Sequence, residues 1–133
     1  MARRRRTKPA FEMPLWMSLA DQGSCAVIAL TVLSGRKYAE VRELCRNHGW
    51  SPRRGMMQHQ IAAAARDLGI STVNDYEFMR QQMTLARFLK KCDPAGTYLV
   101  HTKGHVFVVR KRQQIDPAQT GTRTYVGLVE RVG

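Results

Sequence analysis

The sequence predicts an α+β domain: N-terminal helices, with a cysteine at the start of a central helix, packed on a small C-terminal antiparallel sheet. Three observations carry this. Residues 26–33 are apolar nearly all round and lie between Gly23 and Gly35, which marks a buried central helix. Between residues 38 and 68 apolar residues recur at helical spacing. From Thr97 onward the period falls to two, the signature of strands.

Residues 1–14 read as a basic flexible arm. They hold Pro9, Pro14 and five positive charges (Arg3, Arg4, Arg5, Arg6 and Lys8) and no apolar periodicity. Residues 15–133 read as one domain, with Trp16 and Leu19 marking where packing begins. The first helix spans about 24–33, capped by Ser24 or Asp21 and stopped by Gly35. The second spans about 38–47. Tyr38, Val41, Leu44 and Cys45 face inward, while Arg36, Lys37, Glu40, Arg42 and Glu43 face water. A loop, 50–55, carries Trp50, Arg53 and Arg54. The third helix runs over about 57–68, with Met57, Ile61, Ala64, Ala65 and Leu68 on one face, and Gly69 stops it. A short strand is expected at 70–73, and 74–83 is polar without a clear period. A short helix at 85–91 has Thr84 as its cap and Leu85, Phe88 and Leu89 inward. Residues 93–96 form a turn. Strands follow at 97–102, 105–110, 113–116 and 125–132, and Gly104 supplies the positive φ of the first hairpin.

Composition bounds the function. The chain has 133 residues, 22 Lys+Arg against 10 Asp+Glu, and a net charge of +12. Subtracting those five positive charges leaves 12 − 5 = +7 on the rest of the chain. That balance favours an anionic partner, nucleic acid or an acidic host protein, with Arg3, Arg4, Arg5, Arg6, Arg53 and Arg54 as the candidate contacts. No apolar run reaches the ~20 residues a membrane span needs, so no membrane partner is expected. The basic start has no apolar segment behind it and does not read as a secretory signal. Cys25, Cys45 and Cys92 are odd in number and widely spaced, which points to reduced thiols in a cytosol. With no C-x-x-C pair and no histidine at ligand spacing from a cysteine, neither a metal nor a cofactor is expected. Oligomeric state is open.

One constellation stands out. The turn Asp21-Gln22-Gly23-Ser24 delivers Cys25 to the first turn of an apolar helix, where the dipole and free N–H groups lower a thiol's pKa. His105 opens the strongest strand, and Asp116 lies eleven residues later. A hairpin turning near 110–113 brings Asp116 opposite His105 or one diagonal step away, on one face. The carboxylate then orients the imidazole, and its other nitrogen faces the thiol. The first helix is expected on the sheet face that carries His105, Phe107 and Val109. The Cys25 N–H, with the Gln22 amide, is the candidate oxyanion hole. His101 has no carboxylate placed to orient it and reads as structural.

Cys25, Gly104-His105 and Ile115-Asp116-Pro117, in that order, resemble the papain-like cysteine peptidase fold. They are similar to the compact form in bacteriocin-processing peptidase domains. Residues 21–27, 33–38 and 96–100 also look like short uncharacterised proteins of tailed bacteriophages with that fold. The resemblance implies Cys25 as nucleophile, His105 as base and Asp116 as orienter. It implies a peptidase acting on a peptide or isopeptide bond, in the cytoplasm of an infected bacterial host or in the virion. The alternative is an inactive papain-like scaffold, serving as a basic binding module for a host protein or nucleic acid, or a virion component whose arginine arm contacts packaged DNA. Papain-like enzymes carry their oxyanion glutamine six residues before the cysteine, where this chain has Leu19. Gln22, three residues before, is the nearest glutamine.

Overall fold

The computed structural model describes residues 12–133, and Arg3, Arg4, Arg5 and Arg6 lie outside them. The described residues form six helices and a five-stranded sheet, an α+β arrangement. Helix α1 (Leu15–Ser18) is short. Trp16 stacks on Tyr38, ring centroids 5.7 Å apart, but Leu19 is exposed and Met17 is the residue that packs inside.

Helix α2 (Cys25–Ser34) buries Ala26, Val27, Ile28, Ala29, Leu30 and Thr31 in succession, as its all-round apolar sequence requires. Its one buried hydroxyl, Thr31 Oγ1, donates to the Val27 carbonyl at 2.8 Å. Gly35 ends it in the left-handed region at φ +71°. Asp21 is not its cap. That carboxylate accepts from the Tyr38 hydroxyl and from Arg42 Nε, each at 2.7 Å, and ties α3 (Tyr38–Asn47) to the turn ahead of α2. Arg42 is therefore half-buried rather than in water, and its guanidinium lies 5.2 Å from the Trp50 ring centroid. Helix α4 (Gln58–Asp67) buries Ile61, Ala64 and Ala65. Met57 is exposed because it precedes the first turn and does not share the helix's face. Its N–H donates to Gln60 Oε1 at 2.8 Å.

Strand β1 (Thr72–Asn74) leads into α5 (Tyr76–Gln81), which Asp75 caps by accepting from the Phe78 N–H. Helix α6 (Leu85–Lys91) starts as expected, with Thr84 Oγ1 accepting from the Arg87 N–H. Strands β2 (Thr97–Thr102), β3 (His105–Arg110), β4 (Gln113–Ile115) and β5 (Val129–Val132) complete a sheet of order β1-β5-β2-β3-β4, antiparallel throughout. Residues 125–128 do not extend β5. The Val126 N–H bonds to the Met83 carbonyl. Gly127 and Leu128 both bond to His101, two residues against one, which is a bulge.

The sheet has a core on each face. Leu99, Val106 and Val108 pack with α2, α3 and α4. Tyr98, Val100, Phe107 and Val109 pack with Leu85, Phe88 and Cys92 of the α6 region. Helix α2 thus lies on the face opposite Phe107 and Val109, the reverse of the expected placement. Alternation along β3 decides this, because the face that receives the large α2 surface is the one carrying Val106 and Val108.

Candidate active site

The turn before α2 is built around Gly23. Its φ is +67°, and a Cβ there would lie 2.3 Å from the Pro52 carbonyl oxygen, so only glycine allows this approach. Trp50 Nε1 donates to the Gly23 carbonyl at 3.0 Å and fixes loop 50–55 against the turn. Cys25 is consequently the first residue of α2, in the region of the free N–H groups. It is partly exposed, unlike the buried Cys45 and Cys92.

His105 opens β3 at the end of the sheet, where α2 begins. Helix α2 packs on the Val106 and Val108 face of β3, and His105 shares the other face with Phe107, but as the first residue of β3 it still lines one cleft with Cys25. Val108 pairs with Ile115, so Asp116 falls one diagonal step from His105 on the same face. His105 Nε2 donates to Asp116 Oδ2 at 3.0 Å. A carboxylate only accepts, so Nε2 holds the proton and Nδ1 is left for the thiol. The imidazole stacks on Phe107, centroids 5.5 Å apart.

Asp116 is fully buried. Thr120 Oγ1 donates to its Oδ2 at 2.6 Å, the Thr120 N–H also reaches Oδ2, and the Ala118 N–H donates to Oδ1 at 3.0 Å. Burial pushes its pKa up, but the bonds from His105 and Thr120 outweigh it and hold the carboxyl below 3.8. The hydrogen bond to Asp116 and the interaction with Cys25 push His105 up to about 10, against burial. For Cys25 burial raises the pKa. The His105 imidazole and the Val106 and Ala26 N–H groups outweigh that and set it below 9.0. Strand β4 ends opposite Val108, so β4 has no partner to offer at Val106. These shifts favour a thiolate beside an imidazolium, a nucleophile paired with a proton donor. Burial alone acts on Cys45 and raises it to about 11.

Cys25 and His105 line a cleft of about 450 Å³ with Arg53, Arg54 and His101. Gln22 is exposed in the turn and is not among the residues lining the cleft. The N–H groups at the start of α2 are the candidate donors for an oxyanion. Two partnerships escaped sequence reasoning. His101 Nε2 bonds to Glu130 Oε1 at 2.8 Å, both side chains 15% exposed, so a carboxylate does orient this histidine. The Leu99–Glu130 register places Glu130 one step diagonal to His101, a signal that needs the β2–β5 pairing to be known. Thr120, four residues after Asp116, was the other. Its role depends on the backbone curling round the carboxylate.

Among the described residues no group of three or more His, Cys, Asp or Glu is gathered to hold a metal ion, and no helix is long and apolar enough to cross a membrane. Compared with known proteins, the chain matches no family model, no curated protein and no solved structure.

Proposed function

We propose that the chain is a papain-like thiol hydrolase, a cysteine peptidase acting on a peptide or isopeptide bond, of the phage-encoded kind its motifs resemble. The observation that carries this is the line Cys25–His105–Asp116, with a fully buried carboxylate on one ring nitrogen and the thiol available to the other. The Cys25 thiolate attacks the acyl carbon, a C–S bond forms, and the carbonyl electron pair moves to oxygen. The N–H groups at the start of α2 are placed to receive that oxyanion. The His105 imidazolium gives its proton to the departing amine and the C–N bond breaks. Water, deprotonated by His105, then attacks the thioester. The C–S bond breaks, releasing a carboxylic acid and the thiolate.

The test is the pH dependence of iodoacetamide alkylation, read residue by residue. Cys25 is expected to react with an apparent pKa below 9.0, while Cys45 and Cys92, both buried and raised, stay unlabelled. His105→Ala returns Cys25 toward an ordinary thiol and slows labelling at about pH 6.5 by roughly ten- to a hundred-fold. Equal labelling of the three cysteines, or an inert Cys25 in both proteins, overturns the hydrolase. The inactive scaffold that binds through its basic surface then takes its place.

A further inference from the structure

We infer that the cleft takes an acidic peptide, whose carboxylate is held by Arg53 and Arg54 beside the thiol; this rests on the hydrolase reading above. Both arginines line the cleft with Cys25 and are exposed. Neither pairs with an acid among the described residues. Arg36, Arg42, Arg46, Arg80 and Arg131 do, while Arg66, Arg87, Arg110, Arg112 and Arg123 share the unpaired state but do not line this cleft. No Asp or Glu lines this cleft. The two carboxylates nearest to it through their partners, Glu130 and Asp116, are already engaged by His101 and His105. The cleft wall is therefore cationic with nothing inside the fold to neutralise it.

The backbone that carries the pair is also held in place. Ser51 and Gly55 bridge, with the Gly55 N–H on the Ser51 carbonyl at 2.8 Å, and the Arg54 N–H reaches both the Ser51 carbonyl and its hydroxyl. Trp50 and Pro52 press this loop on the Gly23 turn that presents Cys25. Anion site and nucleophile are thus fixed to one another through a single turn. Two guanidinium forks fit a carboxylate bidentately. A nucleic acid phosphate would meet the same forks, but it offers a thiolate no acyl carbon. An acidic side chain close to the scissile bond satisfies both halves of the cleft.

The experiment uses the full chain and paired peptidyl vinyl sulfones, identical except for Glu or Gln beside the electrophile. At low salt the Glu probe is expected to label Cys25 about ten-fold faster, the worth of one charge-assisted contact. The ratio should shrink as salt rises. Arg53→Gln/Arg54→Gln brings it to parity. Arg53→Glu/Arg54→Glu turns the preference toward a Lys probe, a gain that a misfolded protein cannot show. A wild-type ratio near one, with Cys25 still taking both probes, overturns the inference and leaves the hydrolase standing. Failure of Cys25 to react with either probe or with iodoacetamide overturns the hydrolase itself. If an oligonucleotide binds wild type but not the double Gln variant while the probe ratio stays near one, the pair belongs to nucleic acid and the inference falls.

Discussion

Asp116 carries a buried charge, and four donors from His105, Ala118 and Thr120 hold it there. Its folded pKa lies below 3.8, so its contribution to stability is present above that value and lost as pH falls through the folded one. His105 runs the other way. It is raised from 6.5 to about 10, so its contribution is complete below 6.5 and lost as pH climbs toward 10. Both act together in mildly acid solution. Asp116→Asn places an amide against donors, removes the charge and costs about 1–3 kcal/mol. Thermal melts from about pH 3 to about pH 10 should show both limbs flattened in the variant. Unchanged limbs would mean that other groups set the pH dependence. At this scale the meeting of Cys25, His105 and Asp116 was legible, because a cysteine at a helix start, a histidine at a strand start and a carboxylate one hairpin later follow from the elements. Glu130 and Thr120 were not. Each depends on a tertiary pairing or a turn conformation that no spacing announces.

Two glycines show how much an element depends on its approach. Gly23 and Gly35 flank α2 with nearly the same φ, +67° and +71°, but only Gly23 has backbone where a Cβ would go. Gly35→Ala should cost about 1 kcal/mol, the left-handed penalty alone. Gly23→Ala adds the collision with Pro52 and should cost about 2–5 kcal/mol. Denaturant melts measure both, and Cys25 alkylation should change for Gly23→Ala only. Equal losses would show that the close approach does not hold the turn. The elements most legible in sequence were those with a clear apolar period: α3, α6, β2 and β3. Helix α5 is six residues with no buried side chain, so periodicity had nothing to register, and only Asp75 announces it. The segment before β5 was overextended because a bulge at Gly127 and Leu128 breaks the ladder without breaking the apolar pattern.

Across the whole molecule the α+β class followed from one change of period at Thr97. Which face of the sheet each helix covers did not follow. Alternation gives two faces to every strand, and both faces of β2 and β3 are apolar, so nothing local says which one α2 takes. Nor was it evident that β1, from the helical half, would join β5 at the sheet edge. The line Cys25–His105–Asp116 spans this assembly, with its thiol on the second helix, its imidazole on the third strand and its carboxylate just beyond the fourth. Synthesis runs in the same direction. A nascent chain carries Cys25 out of the ribosome long before His105 is made, and the thiol lacks that imidazole until residues 105–120 emerge and fold. A stalled chain ending ahead of Asp116 should ignore iodoacetamide at about pH 6.5, and one extending well past Thr120 should react. Equal reaction of the two would show that α2 alone activates the thiol. The order of the residues along the chain thus acts as a safety catch, leaving the thiol of a half-made chain without the partners that would ionise it.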